Sequence, residues 1–269
     1  MGQAFSALGA PDPRESAPSR IDFRLQRQLR GYKRTDPAPA RVRPIPMVAL
    51  HEAQRIATSN IGTAREHALV DLMWIAFYYL LRPGEYLKTT SEHAFTLADV
   101  TFRHQLVEHK ATHISLALLP HTTYAGLTFT EQKNGVKGEV IGLTLSGDPQ
   151  ACAVRALARR VQHLRMNGAP PTTKLYTYYD ARHRPHHLGS THLTEYLRLS
   201  CQLCGQSTET ISARALRSTG ATALLQGHVP IQLIQLLGRW RSDEVFRYLH
   251  TQSLPLMAPL APTMLQHYT

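Results

Sequence analysis

The sequence predicts a mainly helical domain with a small antiparallel β-sheet, an α+β arrangement. Three observations carry this. Apolar residues recur at helical spacing in residues 47–81 and again between 150 and 237. Short segments rich in Val, Ile, Thr and Phe lie between them in residues 98–145, and Gly, Pro and Asn punctuate the boundaries. With 269 residues, 43% of them apolar, the chain is long enough to bury one sizeable core.

Taken in order, residues 1–45 read as a basic arm or linker and residues 46–269 as one compact domain. The first 46 residues are rich in Pro, Ala and Arg and carry nine Lys or Arg against four Asp or Glu, a local +5. A short helix is expected over residues 21–32, where Ile21, Leu25 and Leu29 share a face. The prolines that follow, Pro44 and Pro46 among them, then make a stiff connector. A helix begins near Met47. A second, over residues 63–81, is strongly apolar and so is expected to be buried, with Arg82-Pro83-Gly84 ending it. Strands are expected over residues 98–103, 111–119, 126–131 and 138–145, with Asn134-Gly135 as a hairpin turn. Helices return after Gly147-Asp148-Pro149, where Asp148 is the expected N-cap and Pro149 the first helical residue. That helix stops at Asn167-Gly168. Residues 169–190, rich in Tyr, His and Pro, read as a loop, and three helices follow over residues 193–203, 213–226 and 230–237.

Several classes are set aside. The longest apolar run, residues 72–81, is half of what a membrane-spanning helix needs and is bounded by Asp71 and Arg82, so no membrane partner is expected. No secretory signal is expected, because the N-terminus lacks a basic start followed by an apolar run. Three cysteines suit a reducing intracellular compartment, nucleus or cytoplasm, rather than a disulfide scaffold. A net charge of +11 and a pI near 9.9 point to a polyanionic partner.

The last third concentrates the chemistry. It reads Ser212-Ala213-Arg214-Ala215-Leu216-Arg217, then an apolar helix, then Leu237-Gly238-Arg239-Trp240-Arg241-Ser242-Asp243, then Val245-Phe246-Arg247-Tyr248-Leu249. Arginines at a helix start, a Gly-Arg-Trp turn and a nearby phenol suit phosphoryl chemistry, since a guanidinium holds two phosphate oxygens and stays charged. Each residue alone has a plainer explanation: a surface cap for Arg82, a half-buried tyrosine for Tyr248, a solvated turn lysine for Lys133. Their order and spacing together favour the functional one.

This stretch resembles the catalytic C-terminus of the tyrosine recombinase (phage integrase) family, whose motif runs His-x-x-Arg, a later His or Trp, and a nucleophilic Tyr. Arg217 matches the second catalytic arginine and Tyr248 the nucleophile. Counting from Arg217 puts the His or Trp place at Trp240, whereas counting back from Tyr248 puts it at Arg239; Trp240 is favoured for its indole N–H donor. Upstream, Leu81-Arg82-Pro83-Gly84-Glu85 is similar to the family's first-arginine box, with Glu85 supporting Arg82. The segment Thr130-Glu131-Gln132-Lys133-Asn134-Gly135-Val136-Lys137 is similar to the hairpin that presents a catalytic lysine, with Lys133 the better match and Lys137 the reserve. Arg239 and Arg241 are further candidate DNA contacts. The wording Arg-x-Leu-Arg-Ser-x-Gly-Ala-Thr-Ala-Leu followed by Gly-Arg-Trp is most similar to recombinases of eukaryotic mobile elements of the Crypton and DIRS kind.

The resemblance implies the tyrosine recombinase catalytic-domain fold over residues 46–269, with residues 1–45 a remnant of a core-binding domain, a double-stranded DNA partner, and tetrameric self-association on DNA. It also implies a site-specific recombinase or integrase acting in DNA integration or transposition, with a covalent 3′-phosphotyrosyl intermediate. No cofactor or metal is then required, because the phosphotyrosine keeps the bond energy. One departure matters: the family histidine three residues before the second arginine is Arg214 here. An arginine stays protonated and cannot serve as a general base, so either another group takes the tyrosine proton, with His228 and His250 nearest in sequence, or cleavage is lost. The alternatives are therefore a DNA-binding protein of the same fold without cleavage, and a type IB topoisomerase. Cys201 and Cys204, with His183, His186, His187 and His192 upstream, have zinc-like composition. Cys201 and Cys204 nevertheless share a helical face with Leu193 and Leu197, which reads as core.

Overall fold

The computed structural model describes residues 15–17, 20–21, 23–35, 43–59, 62–90, 93–130 and 138–240. The chain divides into two compact units, Met1–Arg41 and Val42–Thr269. In the first, strands β1 (Glu15–Ala17) and β2 (Arg20–Ile21) pair antiparallel, and helix α1 spans Phe23–Thr35 with Arg24 and Arg27 exposed.

The second unit is built around one buried helix. Helix α2 (Met47–Thr58) lays Leu50, Ala53 and Ala57 into the core, and its Gln54 Oε1 accepts the Trp74 indole N–H at 2.9 Å. Helix α3 (Ala64–Tyr78) opens on a capping box in which Thr63 Oγ1 accepts the Glu66 N–H and the Glu66 carboxylate accepts the Thr63 N–H at 2.7 Å. Residues 68–77 are all buried, as a helix apolar all round requires. Asp71 among them is held by Arg159 at 2.7 Å.

Helix α3 ends at Tyr78, short of the proline and glycine expected to stop it. Leu80 turns the chain instead, with φ 50° in the left-handed region. Pro83 then opens a one-turn helix, α4 (Pro83–Tyr86), at the position where its missing N–H costs nothing.

The sheet inserted here has the order β4-β3-β5-β6, all neighbours antiparallel: β3 (Val100–His104), β4 (Val107–Lys110), β5 (Tyr124–Phe129) and β6 (Glu139–Thr144). Val100, Phe102, Ala125, Leu127, Phe129 and Ile141 face the core. The strand expected over residues 111–119 is absent; β4 precedes it, and a 3₁₀ turn at Leu116–His121 takes part of its place. No turn residue marks the β3–β4 connection, because Gln105 and Leu106 both take positive φ without being Asn or Gly. Strands β5 and β6 pair antiparallel as expected, with Phe129 opposite Glu139, and the Asn134-Gly135 turn lies outside the described residues.

Helix α5 (Ala153–Met166) starts later than Asp148 and Pro149 suggest. Asp148 Oδ1 accepts the N–H groups of Gln150 and Ala151 and so closes a turn rather than capping the helix, which stops as expected at Asn167 and Gly168. The expected loop contains a small hairpin, β7 (Thr177–Tyr179) and β8 (Pro185–His187), too short to leave a period in the sequence. Helices α6 (Ser190–Leu203), α7 (Ala215–Gln226) and α8 (Ile231–Gly238) complete the described unit. Helix α7 crosses α3 closely: a Cβ at Gly220 would sit 2.2 Å from the Phe77 carbonyl oxygen. The architecture is the mainly helical one, with a small antiparallel sheet, that the sequence predicts.

Candidate active site

Two arginines meet at one carboxylate. Glu85 sits in α4 and folds back on Arg82, its Oε2 accepting the Arg82 backbone N–H at 2.7 Å and its Oε1 lying 3.2 Å from Arg82 Nη1. The second partner is Arg239, whose Nη2 donates to Glu85 Oε2 at 3.0 Å. The Arg82 side chain is 33% exposed and that of Arg239 only 1%, so one guanidinium faces outward while the other is sealed in.

Arg239 follows α8 in left-handed backbone, φ 57°. Its guanidinium carbon lies 4.0 Å from the centre of the Phe129 ring. Its Nη1 donates to the carbonyls of Tyr79 at 3.2 Å and Leu237 at 3.1 Å, and its Nη2 reaches the Leu80 carbonyl at 3.4 Å. Burial pulls its pKa below the ordinary arginine value, with the Glu85 carboxylate acting in the opposite sense.

Arg217 lies in the first turn of α7, where it is buried. Its Nη2 donates to the Gly238 carbonyl at 2.6 Å, and its guanidinium carbon stands 4.3 Å from the Trp240 ring centre. Trp240 closes a small cluster with Leu80, Ala221 and Ile234. Only glycine fits before this turn, since a Cβ at Gly238 would fall 1.7 Å from a Trp240 ring carbon. Arg214, at the head of α7, is exposed and lines a concavity of about 380 Å³ together with Pro83, Thr89, Ser190, Thr194 and Ser212. A guanidinium among hydroxyls offers the donors that phosphate oxygens take.

Arg82, Glu85, Arg217, Arg239 and Trp240 are therefore one connected set, with Arg214 sharing a concavity with Pro83 beside it. Lys133, Lys137, Arg241, Tyr248 and His250 lie outside the described residues. No pattern in the sequence pointed to Phe129, to the Tyr79 and Leu80 carbonyls, or to the hydroxyls around Arg214. The one local signal was the three-residue spacing of Arg82 and Glu85.

The cysteine and histidine candidates have other partners. Cys201 is buried in the core with Leu193 and Leu197, and Cys204 Sγ lies 3.7 Å from the Val48 carbonyl. His183 pairs with Asn167, His186 with Asp180 and His187 with Thr177. Among the described residues no group of three or more His, Cys, Asp or Glu is placed to hold a metal ion, and no helix is long and apolar enough to cross a membrane.

No family model matches the chain, and no curated protein matches it. Among solved structures, the chain is similar to the XerH site-specific recombinase bound to its palindromic difH substrate in a post-cleavage complex. The TM-score is 0.54 at 14% identity, over 84% of this chain and 54% of that one. A likeness to XerA recombinase has a TM-score of 0.41 at 14% identity, over 94% of this chain and 88% of that one. The chain thus spans about half the length of the XerH chain it matches. At this identity the likeness speaks for the fold, and the fold is that of a tyrosine recombinase catalytic domain.

Proposed function

We propose that this chain is a tyrosine recombinase that binds duplex DNA and cuts and rejoins it through a 3′-phosphotyrosyl bond to Tyr248. One observation carries the proposal: Arg82 and Arg217, far apart in sequence, are joined through Glu85, Arg239 and the Gly238 carbonyl into one cationic set within a recombinase fold. Tyr248 Oη would attack the scissile phosphorus in line, and the 5′ oxygen would leave with a proton from Lys133 Nζ. Arg82 and Arg217 would stabilise the charge that grows on the phosphoryl oxygens, with Trp240 beside Arg217. Attack by a 5′-hydroxyl would then reverse the step and release the tyrosine. The motif wording favours a role in the integration or transposition of a mobile element, with self-association on DNA.

Arg214 supports a second reading, a protein that binds DNA through the same surface without cutting it, since no imidazole stands three residues before Arg217. A duplex nicked close to the cleavage point, which traps the covalent intermediate by losing the short fragment that carries the released 5′-hydroxyl, separates the two. The recombinase reading expects a covalent adduct that Tyr248→Phe abolishes; binding with no adduct from the wild type would support the second.

A further inference from the structure

Arg239 makes more contacts than a DNA-binding arginine needs. Its Nη1 and Nη2 donate to the carbonyls of Tyr79 and Leu80, just past the end of α3. Carbonyls at a helix end lack intrahelical partners and carry partial negative charge, so a guanidinium suits them. Its Nη2 also meets Glu85, the carboxylate that holds Arg82 by both backbone and side chain. Its plane covers Phe129, the last residue of β5 and the root of the segment that leads to Lys133. The residue before it, Gly238, gives its carbonyl to Arg217.

We infer that Arg239 is a positioning residue, which fixes Arg82, Arg217 and the root of the Lys133 segment relative to one another and does not itself touch the phosphate. This rests on the DNA-cleaving function proposed for the same site. Geometry supports it first. Both terminal nitrogens are engaged by carbonyls and Glu85, and Nε is enclosed with no hydrogen-bond partner among the described residues, so no donor of Arg239 faces outward. Charge supports it next: Glu85 offsets the inner guanidinium, and the outward one, Arg82, is left to meet an anion. Residue type supports it last, because only a planar fork reaches three carbonyls and a carboxylate at once; a lysine supplies the charge without the fork.

The test compares the wild type with Arg239→Gln, Arg239→Lys, Glu85→Gln, the Glu85→Gln/Arg239→Gln double variant and Arg82→Gln. Each is measured for the salt dependence of binding to a nicked duplex, for the single-turnover rate of adduct formation, and for urea unfolding without DNA. A phosphate ligand contributes about 0.9 to the log–log salt slope, so Arg82→Gln lowers the slope by about that much and Arg239→Gln leaves it unchanged. Misplacement of Arg82 and Arg217 slows adduct formation about 100-fold in Arg239→Gln and in Arg239→Lys alike. The double variant is no slower than Arg239→Gln and unfolds at the same urea concentration.

A slope that falls by nearly one unit in Arg239→Gln, a rate restored by Arg239→Lys, or effects of the two sites that multiply in the double variant would each overturn the inference. Phe129→Leu covers the case of a variant that fails to fold. It removes the platform and keeps every hydrogen-bonding group, so a rate about tenfold lower with an unchanged slope is expected, and an unchanged rate overturns the inference. If the wild type forms no adduct, the recombinase proposal fails. The salt slope and the unfolding comparison of residues 85 and 239 still decide the role of Arg239.

Discussion

Arg214 sets the chemistry apart at the scale of single residues. It stands three positions before Arg217 at the head of α7, and its guanidinium has donors to give and no site to accept a proton. Among the hydroxyls of Thr89, Ser190, Thr194 and Ser212 it suits a phosphate better than a base. Arg214→His should therefore speed adduct formation about 10- to 100-fold and add a limb to the pH–rate profile near ~6.5, the usual imidazole value. An unchanged rate and profile would show that the tyrosine proton leaves by another route. The Arg82–Glu85 pair was legible in the sequence because its three-residue spacing is local and matches the first-arginine box it resembles. The pairing of Arg239 was not, since its partners Tyr79, Leu80 and Glu85 lie 154–160 residues away and no local pattern reports such a contact.

Elements fix where those residues stand. Helix α7 carries Arg217 and presses Gly220 against α3, and its Thr219 Oγ1 accepts the Ile45 N–H at 2.8 Å, tying the helix to the start of the compact unit. An alanine at Gly220 gains helix propensity but drives its Cβ into the Phe77 carbonyl, which cannot move without shifting α3. Gly220→Ala is expected to cost about 1–3 kcal/mol in urea unfolding. Helix α5 offers a pH test. Burial, with Arg160 and His67 nearby, pushes the His163 pKa down to about 4, and His163 Nε2 accepts the Tyr179 N–H at 2.9 Å. Between about pH 6.5 and 4 the unfolded chain takes up a proton that the folded one refuses, so stability falls as pH falls through that window. His163→Gln should remove roughly 1–2 kcal/mol of that loss, a figure kept below the full shift because the ring is only half-buried. At this scale the long helices were legible from their periodicity and the β5–β6 hairpin from its strands. The β3–β4 turn was hidden by a non-glycine pair with positive φ, and β7 and β8 by their length of three residues each.

For the whole molecule, the order of helices, small sheet and helices was visible in the change of period, while charge alone said only that a polyanion was a suitable partner. Arg24 and Arg27 are exposed on α1 in the first unit, and Arg82 and Arg214 reach the surface of the second. If α1 lies along DNA, replacing Arg24 and Arg27 by Gln lowers the salt slope by up to about 1.8, two phosphates at about 0.9 each, and leaves the cleavage step of bound complexes unchanged. An unchanged slope would take α1 off the DNA. The central claim, that the connected arginines serve a tyrosine nucleophile, is open to mass spectrometry of the trapped protein–DNA complex after proteolysis. The peptide carrying the nucleotide is expected to contain Tyr248 as its modified residue, and a complex that is never covalent, or one joined through any other side chain, would contradict it.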